Sequence, residues 1–232
     1  MIKAVNENSF LITLSDRIDL SLTSRIAHLV KQIDATFPKG SLLDVTPSYT
    51  TALVQINLLT ITPLVAETLL LTLCDEMNQS ADTLSEVTGK LIELPVYYDQ
   101  SVGWDLQKVA SDKCLSIEQV IALHSDKPYQ VCAVGFAPGF AFLAALDAKI
   151  CQPRHTSPRA FVPAGSVAIA DTQTAVYPSD SPGGWHIIGN CPLTLFDTTQ
   201  VPISPFQIGD RVKFNPITRQ QFIALGGKVT DE

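Results

Sequence analysis

Residues 161–178 read FVPAGSVAIADTQTAVYP. Two short apolar runs, VAIA and TAVY, are separated by an Asp-Thr-Gln step and bounded by Pro and Gly. Small and β-branched residues between such punctuators predict short strands joined by tight turns. The same grammar recurs on both sides of this stretch. YQVCAVGF lies upstream; HIIGN, LTLFD, DRVKFNPI and QFIAL follow downstream. So many short, evenly punctuated strands predict a closed barrel or a sandwich.

The first half is written differently. Residues 1–127 contain 7 prolines and glycines, against 20 in residues 128–232. Phe10–Leu14 alternates as a strand, and Leu22, Ile26, Leu29, Val30, Ile33 and Phe37 recur at helical spacing. Pro38 and Gly40 end that helix. Leu42–Thr46 and Thr50–Leu58 read as two strands about a Pro47-Ser48 turn. Pro63 opens a helix over Leu64–Met77, and Leu91–Tyr97 reads as a strand. The order β-α-β-β-α-β predicts a ferredoxin-like α/β domain. Two short helices follow, Trp104–Ser111 and Ile117–His124. Ser116 and Gln119 form a capping box for the second, and His124 sits where its charge would complement the helix dipole. The expected class is α+β, with domains over residues 1–98 and 99–232, the second led by helices within 104–125.

Charge and cysteine content narrow the function. The acidic excess lies wholly in residues 1–127, with 9 Lys and Arg against 16 Asp and Glu; residues 128–232 hold 7 of each. Bulk nucleic-acid binding, which needs a basic surface, is not expected. The five cysteines are scattered, without C-x-x-C spacing, and the four histidines show no H-x-x-x-H pattern. No disulfide framework and no metal site are expected, and a reducing cytoplasm is the simplest setting. The start MIKAVNENSF lacks the form of a signal peptide. The most apolar stretch, Leu58–Cys74, contains Pro63 and Glu67 and reads as a buried helix, so no membrane partner is expected.

Chemistry is harder to place. No P-loop is present. Gly135–Phe142, GFAPGFAF, is either a loop whose backbone amides face a ligand or a corner that tucks aromatics into the core. Arg154 and Arg159 in PRHTSPR either grip a carboxylate or phosphate or stand solvated, with His155 exposed between them. Glutamate is absent between Gln119 and Asp231, so a carboxylate in the second half must be an aspartate. Asp171 and Asp180 are better placed than Asp147, Asp197 and Asp210, which sit at expected turns. There is no paired acid and base and no serine or cysteine nucleophile motif, so no catalytic residue is assigned.

Taken together, GFAPGFAFL, PRHTSPRAFVPAGSVAIADTQTAVYP, SPGGWHIIGNCPLTLFD and IGDRVKF, with IELPVYYD, GWDL and LSIEQVIALHS upstream, resemble one family over essentially the whole chain. It is the PxpB family, the B-type component of bacterial ATP-dependent 5-oxoprolinase, which includes the sporulation kinase inhibitor KipI and is also labelled allophanate hydrolase subunit 1. The resemblance implies a C-terminal cyclophilin-like β-barrel behind the N-terminal α/β domain. It implies a hydrolase component that opens 5-oxoproline to L-glutamate with ATP and Mg2+. The implied partners in that heteromeric complex are the KipA-like PxpC and a third protein, PxpA, with no cofactor bound tightly by this chain alone. A KipI-like histidine-kinase inhibitor and a urea or allophanate carboxyltransferase component are the alternatives. The implied binding residues are Pro138, Gly139, Phe140, Arg154, Arg159, Gln173, Tyr177, Pro182, Gly183, Gly184 and Trp185. Phe142, His155, His186, Ala168 and Ala175 depart from the common tyrosine, arginine, glutamine and two glycines. A partner-binding edge with Phe140, Tyr177 and Trp185 partly exposed is expected.

Overall fold

The structure, a computed structural model, describes residues 1–79 and 89–229. The chain divides into two compact units, Met1–Gly89 and Lys90–Glu232.

Among the described residues, the first unit holds four antiparallel strands. Strands β1 (Ile2–Asn6), β2 (Ser9–Thr13), β3 (Leu42–Ser48) and β4 (Thr51–Ile56) pair in the order β1-β2-β4-β3. Helices α1 (Thr23–Thr36) and α2 (Pro63–Gln79) pack beside them, and α2 begins at Pro63. A proline there has no N–H that the helix would use. Ala66, Leu70, Leu73 and Met77 recur every three or four residues and join Phe10, Ile12, Leu29, Ile33, Val54 and Ile56 in one core. Strand β1 escapes sequence reading because it is an edge strand whose IKAVN is almost wholly exposed.

Strand β5 (Leu91–Val96) departs from the expected ferredoxin-like order. It pairs in parallel with β13 (Arg211–Pro216), from Leu91 opposite Arg211 to Val96 opposite Pro216, and so lies in the second unit. Leu94 and Val96 are buried in that unit's core. Hydrophobic alternation announces a strand but says nothing about its partner.

The second unit adds helices α3 (Leu106–Asp112), α4 (Ile117–Ser125) and α5 (Arg219–Ala224). The Ser116–Gln119 capping box of α4 is formed on both sides. QFIAL is not a strand: it belongs largely to α5, where Thr218 and Gln221 form a second capping box. LTLFD is not a strand either. Strands β6 (Tyr129–Val134), β7 (Ala141–Ala144), β9 (Ser166–Ala170), β10 (Gln173–Val176) and β12 (His186–Asn190) pair with the first two in the order β5-β13-β6-β7-β10-β9-β12. Strands β8 (Arg159–Val162) and β11 (Ser181–Gly183) form a separate pair. The two ends of this order are joined only by a bridge between Tyr97 and Asn190, so no closed barrel ladder exists among the described residues.

The central strands are buried on both faces. Val167, Ile169, Val176 and Ile188 enter the main core with Val131, Leu143 and Phe214. Their alternates Ala168, Ala170, Ala175 and Ile187 enter a smaller core with Phe140, Val162, Tyr177 and Trp185. Three alanines on that face leave room for three large rings. No helix among the described residues is long and apolar enough to cross a membrane.

Candidate functional site

A cavity of about 310 Å³ opens over the smaller core. Its rings are Phe136, Phe140, Phe142, Tyr177 and Trp185, and its polar side chains are Arg154, Asp171 and Gln173. Ala170, Pro158, Pro182, Gly183 and Gly184 complete the wall. Aromatic walls with a few convergent polar groups are the usual form of a small-molecule site.

The aromatic floor is an edge-to-face cluster. Phe140 meets Phe142 at 4.9 Å between centroids, Tyr177 at 5.4 Å and Trp185 at 5.8 Å, with interplanar angles of 63°, 81° and 86°. Phe140, Tyr177 and Trp185 are 2%, 2% and 5% exposed. The expected exposed edge of these three residues is therefore wrong: they bury one another against the alanine face. The exposed aromatics are Phe136, Phe161 and Trp104. Burial pushes the Tyr177 hydroxyl up in pKa, against the opposing effect of a hydrogen bond from the Trp185 backbone.

The glycines acquire a reason. A Cβ on Gly183 would overlap the Tyr177 hydroxyl, so the close approach allowed there is to Tyr177. Gly139 has φ +80°, and a Cβ would stand 2.8 Å from the Leu195 carbonyl oxygen. It shapes the corner that presents Phe140 but does not line the cavity, and neither does Pro138. What Gly135–Phe142 contributes to the wall is three rings.

The two arginines of PRHTSPR part company. Arg154 is exposed, lines the cavity, and has no hydrogen-bond or ion-pair partner among the described residues. Its neighbours hold it there: the Pro153 carbonyl accepts from His186 Nε2 at 2.8 Å, and the His155 N–H donates to the Gly184 carbonyl at 2.8 Å. Arg159 lies outside the cavity and is engaged elsewhere. Its Nη2 donates to Asp105 Oδ1 at 2.7 Å and its Nη1 lies 2.9 Å from His155 Nε2. The expected joint grip on one anion is not what the fold assembles. His155, expected exposed, is only partly so, with its ring 3.9 Å from that of His186.

Asp105 organises this neighbourhood. It is 3% exposed and exchanges hydrogen bonds with Ile187: its N–H donates to the Ile187 carbonyl and its Oδ2 accepts from the Ile187 N–H, each at 2.8 Å. Burial alone would raise its pKa, but hydrogen bonds from Arg159 and the Ile187 N–H, together with the Arg159 charge, outweigh it and hold the carboxyl below its ordinary value. Sequence reading misses Asp105, whose only signal is its place in GWDL. Among the aspartates of the second half, Asp171 lines the cavity. Asp147, Asp180, Asp197 and Asp210 instead accept backbone N–H bonds at turns, from Lys149, Ala164, Thr199 and Gln207 respectively.

The family described as carboxyltransferase domain, subdomain C and D, matches residues 1–206. The 5-oxoprolinase B subunit of Bacillus subtilis (strain 168) is 45% identical over 139 residues, 60% of this chain and 58% of that one. The chain thus matches less than two thirds of that relative's length. The crystal structure of TTHA0988 superposes with a TM-score of 0.77 at 32% identity, over 94% of this chain and 40% of that one. The Kluyveromyces lactis urea carboxylase shares the fold alone, with a TM-score of 0.72 at 16% identity over 96% of this chain and 22% of that one.

Proposed function

This chain belongs to the family of the carboxyltransferase domain, subdomain C and D, and from that premise we propose that it is the B-type component, PxpB, of an ATP-dependent 5-oxoprolinase. It acts in this reading with the KipA-like PxpC and with PxpA, opening 5-oxoproline to L-glutamate. The name of the Bacillus subtilis relative supports the assignment. The observation that carries it in the structure is the unpaired guanidinium of Arg154 over an aromatic floor. 5-Oxoproline is a small ring bearing one carboxylate and one lactam. Its carboxylate suits Arg154, a fork that matches carboxylate geometry, and its ring suits the apolar floor. Asp171, Gln173 and the backbone at Gly183 and Gly184 are the remaining polar groups on the cavity wall.

A lactam is a resonance-stabilised amide whose five-membered ring recloses readily. Transfer of the ATP γ-phosphoryl group to the lactam oxygen breaks the bond to the β-phosphate and releases ADP. Water then adds at the activated carbon, the C–N bond breaks as the ring nitrogen leaves as the amine, and a second water hydrolyses the resulting glutamyl phosphate to L-glutamate and phosphate. Such a transfer needs several cations and amide donors around the phosphoryl group. The cavity offers one guanidinium and one carboxylate, Asp171, which suits an amide acid and not a triphosphate. ATP and its Mg2+ are therefore assigned to surfaces that PxpC completes. We read residues 90–232 as a cyclophilin-like barrel, opened between β12 and β5, and place the protein in the cytoplasm, where its free thiols stay reduced.

The test is ATP hydrolysis by the chain co-purified with its PxpC-type partner. Turnover that depends on 5-oxoproline is expected; no dependence on it would overturn the reading. The shared fold with urea carboxylase favours carboxyl transfer as the second reading, and biotin-dependent activity of the same complex would select it. A KipI-like kinase inhibitor that presents Phe140, Tyr177 and Trp185 to its target loses that edge to burial.

A further inference from the structure

We propose that Asp105, His155 and His186 form a site for a divalent transition-metal ion, which Arg159 occupies as a substitute cation until the ion displaces its guanidinium. The inference does not rest on the reading of the cavity as a 5-oxoproline site.

The three residues come from separate elements: Asp105 precedes α3, His155 lies in the segment before β8, and His186 opens β12. Each offers one ligand atom, and these atoms lie within 4.8 Å of one another. An ion at their centre needs each ligand to shift by at most about 0.8 Å to reach zinc distances of about 2.0–2.2 Å.

Hydrogen bonding sets both imidazoles as ligands. A carbonyl oxygen only accepts, so the bond from His186 Nε2 to Pro153 places the proton on Nε2. Nδ1 is left as a bare lone pair, buried and without a partner, on a residue only 3% exposed. A ring nitrogen tied to a backbone carbonyl, with the other nitrogen bare, is the usual arrangement of a metal-bound histidine. A guanidinium only donates, so His155 Nε2 accepts from Arg159 Nη1 and also presents a lone pair. Asp105 supplies the negative charge, already paired with Arg159 Nη2. Two imidazoles and one carboxylate suit zinc, cobalt or nickel and not magnesium or calcium.

Arg159 is the internal competitor. It bridges two of the three ligands and balances the Asp105 charge in the absence of an ion. Its side chain is 29% exposed and also lies 5.7 Å from the Trp104 ring centre. It therefore has solvent and an aromatic face to move to when an ion enters. Sequence spacing carries no sign of this site, because the ligands are 50 and 31 residues apart.

The test is titration of the untagged, chelator-treated 232-residue chain with Co2+ and Zn2+, read by calorimetry and by the Co2+ absorption spectrum. One equivalent is expected to bind. His155→Gln, at a partly exposed position, and His186→Gln are each expected to weaken binding at least tenfold, and Arg159→Gln to tighten it at least tenfold. Thermal melts of each variant confirm that a loss of binding is not a loss of fold. Absence of saturable one-to-one binding to the wild-type chain overturns the proposal. So does equal affinity in folded His155→Gln and His186→Gln, which would place the ion at other groups such as His28 or Cys114.

Discussion

The carboxylate of Asp105 and the guanidinium of Arg159 meet at 2.7 Å across 54 residues of sequence. One end is 5% exposed at the side chain and the other 29%, so the pair is buried on the acidic side only. Asp105 also accepts the Ile187 N–H, near the start of β12 beside the cavity. A single acid thus connects the start of α3, the start of β8 and the strand that carries His186.

Removing that acid's charge should be costly. Asp105→Asn leaves Arg159 without its charge partner and is expected to destabilise the chain by roughly 3 kcal/mol, measured by urea unfolding at pH 7. The effect has a direction in pH. A carboxyl held low contributes stability that is fully present above its unfolded value of about 3.9 and lost as pH falls through its folded value. Wild type and Asp105→Asn should therefore converge in stability as the pH drops below about 4. A constant gap through that range would place the energy in shape and not in charge.

His124 should dominate the response just above that range. It is fully buried in a chain of bonds, with Tyr98 at Nδ1 and Thr174 at Nε2, and burial lowers its pKa to about 3. A histidine depressed in this way binds its proton first in the unfolded chain. Its stabilising contribution is complete above about pH 6.5 and is lost as pH falls from there towards 3. Unfolding free energy should fall by up to about 1.4 kcal/mol per pH unit between about pH 6 and 4. His124→Gln should be less stable at pH 7 and show a flatter slope; an unchanged slope would assign the loss to other groups.

Arg154 tests the cavity. In complex with the PxpC-type partner, Arg154→Ala should weaken 5-oxoproline binding by about tenfold or more, the usual worth of a hydrogen bond to a charged group. Because Arg154 is exposed and unpaired, the variant's melting temperature should stay at the wild-type value. Arg154→Lys should restore only part of the affinity, since an ammonium cannot form the two-pronged contact.

Gly183 tests the floor. Gly183→Ala drives a methyl group into the Tyr177 hydroxyl, at a ring packed on Phe140. A loss of about 2 kcal/mol is expected, read as a melting temperature lower by about 6 °C. Tyr177→Phe in the same chain should recover part of it, because the hydroxyl is the nearest group to the added carbon. No recovery would show that the backbone at Gly183, and not Tyr177, bears the strain.

Much of the site is legible in the sequence because its residues cluster in a few segments. Phe140, Arg154, Gln173, Tyr177, Pro182, Gly183, Gly184 and Trp185 all line the cavity. Arg159 is misplaced by sequence reading because two arginines five positions apart look equivalent until an acid in another segment takes one of them. Local elements are legible where their signals are local. Ser116 and Gln119 announce α4, Pro63 announces α2, and HIIGN is β12. The same rule applied to Thr218 and Gln221 finds α5 in place of a strand.

The sequence by itself determined where α2 and α4 begin, that segments such as HIIGN form strands, and that the acidic first half differs from the neutral, Gly- and Pro-rich second. Those properties depend on neighbours three or four positions away, within reach of a cap or a helical turn. Only the tertiary structure decided that β5 pairs with β13, that Phe140, Tyr177 and Trp185 bury one another, and that Asp105, His155 and His186 converge. Those outcomes depend on which strand edges meet and in which register. The free energy that selects them is set by packing and charge pairing between segments far apart in the chain.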